Sequence, residues 1–519
     1  MHPQVQTKWG GLRGVEERGV LAFRGIPYAA STEGEGRFRA PQAIKPWVGI
    51  RDATRSGAAC VQPVRLPRFL RGLSAVPPQG ASEDGLNLNV WTPGLDGRAR
   101  PVMVWLHGGG FTRGSGSWYL YSGARLARRG DVVVVGINYR LGAFGALVTD
   151  EMQDADSADS NVGLRDQIAA LRWVVENIAD FGGDPTQVTA FGQSAGAMSV
   201  ASLLASPAAE GLFSRAILQS GAAHHLLRPE QGRAVARDLC SRLDIDIHSA
   251  HPLADLRSRA ASEILEAQMQ VSARHHLPLG VMAWQPSVDG DLFSDIPLAL
   301  WPGSRNKAPE ILIGTTLDEW NMFTALDSKR RNLDEATLCD YLGRTLSSQE
   351  GGSDPDTLET LLSLYAEAPD GSARTPGQKW SAIQTDRVFR IPAVQLADQN
   401  AALQAPTWFY RFDWMPGRWR ERVGACHSME LPFVFGSLRD PVPRWLLKAR
   451  PSDDPLSDQI QDAWLAFAKS GDPRSETQPD WPAYESGKGR ARVFGGVDQE
   501  VAALAESERG FWLNREASE

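Results

Sequence analysis

Ser194 stands in Gly192-Gln193-Ser194-Ala195-Gly196, between the β-prone run Val188–Phe191 and a helix-like stretch. A serine flanked by small residues at a strand-to-helix junction is the sequence form of a nucleophile elbow, a sharp turn that exposes the hydroxyl for attack. Such a serine needs a base to take its proton, an acid to orient the base, and N–H donors for the oxyanion. The donors have a candidate in His107-Gly108-Gly109-Gly110-Phe111, which closes the apolar run Pro101–Leu106. Bare backbone amides at Gly109 and Gly110, with the N–H of Ala195, can approach a developing negative charge. Among the nine histidines, His107 belongs to the glycine loop. His224-His225 and His275-His276 read as surface pairs, and His2, His248 and His251 lie near the terminus or in a polar stretch. His427 is different. It sits in a small-residue loop, Gly424 to Pro432, after the run Thr407–Phe412, and follows every acid candidate in the chain. Asp318 and Glu319 come just after the run Ile311–Gly314. Adjacent side chains point apart, so one can face His427 while the other caps the turn; their chemistry alone does not choose. Asp289 and Asp291, in a glycine-containing turn, are further candidates.

These residues need strands to aim them. Pro101–His107 and Asp131–Arg140 are apolar without clean alternation, the pattern of strands covered on both faces. Val188–Phe191, Ile311–Gly314 and Thr407–Phe412 are shorter candidates. Between them, Leu164, Ile168, Leu171, Val175 and Ile178 form one apolar stripe, predicting a helix over Val162–Ala179. Asn161 is its expected N-cap, and Phe181-Gly182-Gly183-Asp184-Pro185 its stop. Strand and helix in alternation predict an α/β fold: a mostly parallel central sheet with helices on both faces. Residues 225–280 and 325–395 read as helical insertions within a single domain spanning 1–519. Residues 60–82, rich in proline, read as a long surface loop.

With 519 residues, 42% hydrophobic and 22% charged, the composition is that of an ordinary globular protein. A net charge of −8 argues against nucleic acid or an anionic membrane as partner. No run of about 18 apolar residues predicts a membrane span, and residues 1–14 lack the apolar core of a secretory signal. Cys60, Cys240, Cys339 and Cys426 are too scattered for a metal site. Reduced thiols and a cytoplasmic location are expected, with no metal and no organic cofactor.

Taken in order, the motifs resemble the type-B carboxylesterases, which include bacterial p-nitrobenzyl esterases and the cholinesterases. The resemblance runs through Phe23-Arg24-Gly25-Ile26-Pro27-Tyr28, Arg37-Phe38, Ser82-Glu83-Asp84 and Leu88-Asn89-Val90. It continues with His107 to Phe111, Asn138-Tyr139-Arg140, Gly163-Leu164 with Asp166-Gln167, the Ser194 segment and Leu218-Gln219-Ser220-Gly221. It closes with Val288-Asp289-Gly290, Asp318-Glu319, His427 with Glu430-Leu431-Pro432, and Gly471-Asp472-Pro473. It implies an α/β-hydrolase fold and a small-molecule ester substrate, handled by a monomer or small homo-oligomer. It also implies Ser194 as nucleophile, Glu319 as acid, His427 as base, and Gly109, Gly110 and Ala195 as oxyanion donors. Ser220 and Glu430 match positions near the triad. Phe111, Trp118, Tyr119 and Trp320 could line an aromatic pocket or belong to the core. Arg418, Arg420 and Arg422 read as a solvated basic face, with recognition of an anionic substrate group as the other reading.

Three departures bear on function. Gly85 stands where the family often has a cysteine, leaving Cys60 without its expected partner. Gln193 replaces a frequent glutamate, which predicts a weak preference for cations. Trp320 and Asn321 follow Glu319 where glycine is common. Cleavage of an aryl carbamate or amide by the same residues is the alternative reading. A non-catalytic binding protein is the remote one.

Overall fold

The apolar runs form strands with both faces buried. The protein is described by a computed structural model covering residues 2–63, 75–155, 158–275, 282–302, 308–347, 355–368, 370–488, 490–496, 500–502 and 506–516. Eleven strands make the central sheet: β1 Val15–Glu17, β2 Val20–Pro27, β3 Asn87–Thr92, β4 Arg100–Leu106, β5 Val133–Ile137, β6 Gly183–Gln193, β7 Arg215–Gln219, β8 Glu310–Thr316, β9 Thr407–Phe412, β10 Arg490–Phe494 and β11 Glu500–Ala502. Their spatial order is β11-β10-β9-β8-β7-β6-β4-β5-β3-β2-β1. Strands β5, β4, β6, β7, β8, β9 and β10 run parallel as neighbours. The edges at β1 to β3 and at β11 are antiparallel. This is the α/β-hydrolase fold, with its mainly parallel sheet.

Successive strand residues point to opposite faces. Val102, Val104, Leu106, Val133, Val135 and Ile137 enter one core, which helix α1 (Val162–Asn177) covers with Leu164, Ile168 and Leu171. Met103, Trp105 and Val134 enter a second core, covered by Ile460, Trp464 and Phe467 of the helix Asp454–Ser470. Two apolar faces explain why these strands carry no alternating pattern.

The first helix ends two residues before the predicted Ala179. It tightens into a 3-10 turn, Ile178–Phe181, and stops at Gly182 with φ 77°. Asn161 is not its side-chain cap. It holds φ 49°, and its amide donates to Ser287 O and Asp289 Oδ2 at 2.8 and 2.7 Å, tying the helix start to the Asp289 turn. Within 225–280, helices Pro229–Arg242, Pro252–Ser258 and Ala261–Arg274 pack around a third core with Phe38 and Phe144. Residues 325–395 contain helices Glu335–Ser347, Pro355–Leu364 and Pro376–Thr385, then a π-helical turn, Asp386–Arg390. Of the loop expected at 60–82, Ala81–Ser82 pairs with Ala59–Cys60, while 64–74 lie outside the described residues, as does His276.

Several sequence motifs form tertiary ties. Arg37 grips Glu83 with two bonds of 2.5 and 2.7 Å. Arg140 grips buried Asp166 at 2.6 and 2.8 Å. Tyr139 donates its hydroxyl to His107 O at 2.5 Å. All four cysteines are free thiols, and a Cβ on Gly85 would lie 2.8 Å from Cys60 Sγ. Among the described residues, no helix is long and apolar enough to cross a membrane.

Candidate active site

β6 ends at Gln193, helix α2 (Ala195–Ala205) begins at Ala195, and Ser194 between them holds φ 55°, ψ −129°. A non-glycine residue in this region costs roughly 1–3 kcal/mol, which the surrounding packing must supply. Both flanking glycines are obligatory. A Cβ at 192 would lie 2.5 Å from the Gly196 carbonyl carbon, and one at 196 would lie 2.0 Å from Leu106 O. The chain runs outward from β4 to β5 and returns to β6 on β4's other side. Ligands bind at such a switch point, beyond the strands' carboxyl ends.

The glycine loop leaves the neighbouring end of β4. Gly109 holds φ 126° and Gly110 φ 61°, both in the left-handed half of backbone space. The N–H groups of Gly109, Gly110 and Ala195 donate to no acceptor among the described residues. They are available to an anion. Gly108 packs so closely that a Cβ there would lie 2.7 Å from Gln193 O and 3.1 Å from Ser194 Cβ.

Beyond β8, Asp318 and Glu319 divide. Fully buried Glu319 places Oε2 2.6 Å from His427 Nδ1, and its Oε1 accepts from Thr316 N at 2.7 Å. Asp318 accepts from Ala425 N at 3.0 Å and donates its own N–H to Ala425 O, clamping the histidine loop to the acid turn. With Nδ1–H given to Glu319, His427 Nε2 carries a lone pair. Its partner at 3.0 Å is the side-chain amide of Gln193. Ser194 Oγ has no hydrogen-bond partner among the described residues.

A second carboxylate stands behind the first. Burial, then the charge of Glu319, pushes the Glu430 carboxyl up to about 7. Gln219 Nε2 donates to its Oε1 at 3.1 Å, and Trp464 Nε1 donates to Gln219 Oε1 at 3.0 Å. Glu430 Oε2, Ser220 Oγ and Tyr410 Oη are buried without a partner among the described residues. Burial, then the Glu430 and Glu319 charges, holds the Tyr410 phenol protonated.

The sequence reading missed three contributors: Phe323, just before the helical segment, and Phe389 and Arg390 within it. Phe389 and Phe323 lie 4.7 and 5.6 Å from the His427 ring, and Trp320 packs on both phenylalanines. Arg390 donates to the carbonyls of Leu317 and Thr316 at 2.7 and 3.3 Å, holding the acid turn from behind. Composition marked 325–395 as helical but not what it faces. Phe111 belongs to the same core as Trp320. Trp118 instead packs edge-on against Tyr121 on the opposite sheet face, and Tyr119 is exposed, so these four aromatics do not form one group. His224 and His225 are not a surface pair. Their ring centroids lie 4.2 Å apart with the planes tilted by 34°, and His225 is buried. Asp289 binds Ser160 and Asn161, and Asp291 pairs with Arg165. Arg418 lies over the Trp419 and Trp445 rings at 5.7 and 5.1 Å.

Elbow, glycine loop, acid and histidine at the carboxyl ends of β6, β4, β8 and β9 define the class of an α/β-hydrolase. Residues 1–506 match the carboxylesterase family, and the chain belongs to that family of carboxylic ester hydrolases. It is 39% identical over 488 residues to the para-nitrobenzyl esterase of Bacillus subtilis, covering 93% of each chain. It is 34% identical over 516 residues to phenmedipham hydrolase of Pseudarthrobacter oxydans, covering 96% of each. Among solved structures, the Geobacillus stearothermophilus carboxylesterase EST55 superposes with a TM-score of 0.85 and 38% identity over 98% of this chain and 99% of that one.

Proposed function

We propose that this carboxylesterase cleaves small carboxylic esters through an acyl-enzyme on Ser194. His427 takes the Ser194 proton as Oγ attacks the ester carbonyl. The tetrahedral oxyanion is held by the N–H groups of Gly109, Gly110 and Ala195, each worth roughly 3–4 kcal/mol in the transition state. His427 then protonates the leaving alcohol and activates water to release the acid. Glu319 fixes the imidazole tautomer and stabilises the imidazolium. The observation that carries this reading is the 2.6 Å contact between His427 Nδ1 and Glu319 Oε2, with Nε2 turned toward the elbow.

The uncharged Gln193 beside the base favours neutral or anionic esters over cationic ones. The free thiols support a cytoplasmic setting. Residues 1–519 are read as one domain with helical insertions. An organophosphonate tests the triad: it labels the wild type and leaves Ser194→Ala unlabelled, whereas full-rate labelling of Ser194→Ala would refute the assignment. A panel of p-nitrophenyl esters, aryl carbamates, anilides and choline esters would define the bond and charge preference.

A further inference from the structure

Gln193 precedes the nucleophile, and its side chain reaches the atom that the nucleophile needs. His427 Nε2 has one lone pair in the plane of the ring, because Nδ1–H is committed to Glu319. That lone pair receives the Gln193 amide at 3.0 Å, while Ser194 Oγ is left without a partner among the described residues. Gln193 is 2% exposed, so water does not readily replace it. Its carboxamide occupies space that only a glycine leaves open: a Cβ on residue 108 would lie 2.8 Å from Gln193 Oε1.

We propose that Gln193 is a positioning residue that latches the resting base, so that its carboxamide must leave His427 Nε2 before Ser194 can transfer its proton. This rests on the Ser194–His427–Glu319 reading above. A carboxamide has both a donor and an acceptor end. Its NH₂ group satisfies the neutral imidazole. Once His427 carries the second proton, the same NH₂ opposes N–H and must turn away, presenting Oε1 or yielding to the leaving-group oxygen. The latch therefore slows acylation and does not hinder the protonated intermediate. A glutamate at this position could not donate to the lone pair, so the resting latch depends on the amide.

The groups that face His427 define the background for a pH test. Glu319 bonds to it directly, and Glu430 acts on it through space. Arg390 and Tyr410 act on these carboxylates from behind, and Phe323 and Phe389 cover the ring. Only residue 193 changes in the variants.

Pre-steady-state acylation by p-nitrophenyl acetate and phosphonylation of Ser194 are measured in wild type, Gln193→Met, Gln193→Asn and Gln193→Glu. Methionine has similar length and no donor, and the asparagine amide falls one methylene short. Both should speed acylation and phosphonylation roughly two- to tenfold, the factor represented by one ordinary hydrogen bond. Gln193→Glu should move the low-pH limb of kcat/KM upward by about one pH unit, because its carboxylate stabilises the imidazolium; the two neutral variants should move it less. Unchanged or slower acylation in both neutral variants would overturn the latch while leaving the triad reading intact. Persistent labelling of Ser194→Ala would instead overturn the triad reading.

Discussion

Glu319 and Glu430 share one buried region beside His427, and two carboxylates there cannot both ionise at ordinary cost. Glu319 has the imidazole and the Thr316 N–H as partners, whereas Glu430 has one amide bond and an Oε2 with no partner among the described residues. Glu430 is therefore the carboxyl whose proton is retained, up to about 7. Its folded-state pKa is above the ordinary carboxyl value, so the folded protein binds more protons than the unfolded chain between about pH 4.5 and 7. Stability from this group falls as pH rises through that window, by roughly 3–4 kcal/mol in all, and is flat above it. The substitution Glu430→Gln would keep an acceptor for the Gln219 amide without ionising. Denaturant midpoints of this variant should thus decline less than those of wild type between pH 5 and pH 7.5, and parallel curves would show that Glu430 does not titrate there. Asp318 and Glu319 separate by a different test. Glu319→Gln should lower kcat by about 10⁴-fold, the usual cost of losing the orienting acid. Asp318→Asn should retain most activity but lose about 1 kcal/mol of stability, because it weakens the clamp on Ala425 N.

The elbow depends on how closely its elements approach, so its predictions belong to the element. Gly196 lets α2 cross the end of β4, where a Cβ would lie 2.0 Å from Leu106 O. Gly196→Ala should cost about 1–3 kcal/mol or more through backbone displacement. A lowered melting temperature together with slow phosphonate labelling would report both effects; a variant with wild-type labelling would show that the turn tolerates a side chain. This element was legible in the sequence because its requirements are local: a β-prone run, two glycines and a helix, in register. Strands β4, β6, β8 and β9 were legible for the same reason, since burial of both faces gives continuous apolar runs. What the sequence left open depends on distant partners. Asn161 looked like an N-cap, but the Asp289 turn claims its amide. His224 and His225 looked like a surface pair, but their rings pack against each other and the fold buries His225. Phe389 and Arg390 carry no motif, and they reach the site only because the π-helical turn Asp386–Arg390 aims them at His427 and the acid turn. Gln193 was visible as a departure from a frequent glutamate, yet its bond to His427 is a tertiary fact.

At the scale of the molecule, one sheet separates two cores and places four functional loops at the carboxyl ends of β4, β6, β8 and β9. The glycine loop is braced against the α1 side of that sheet. Tyr139, just past β5, donates to His107 O, and Arg140, the next residue, is held by Asp166 of α1. This ion pair is almost wholly buried, with 4% and 0% of the two side chains exposed. Burial pushes the Asp166 carboxyl up; Arg140 opposes this by placing three N–H donors on it, two from the guanidinium and one from its own backbone amide. Removing one partner strands the other charge in a low dielectric, and such losses cost about 3–5 kcal/mol. Arg140→Met and Asp166→Leu should each lower the melting temperature strongly. Replacing both with apolar residues removes the stranded charge, so the double variant should recover much of the loss. Its stability and its activity then separate two roles. If the pair only braces the fold, the double variant regains both. If the guanidinium also fixes the Asn138–Tyr139–Arg140 turn that supports His107, stability returns while phosphonylation of Ser194 stays slow, because the Gly109 and Gly110 donors have lost their alignment. The close approach of Tyr139 to His107 O favours the second outcome, with labelling slowed about tenfold, the effect of roughly 1.4 kcal/mol at the oxyanion donors.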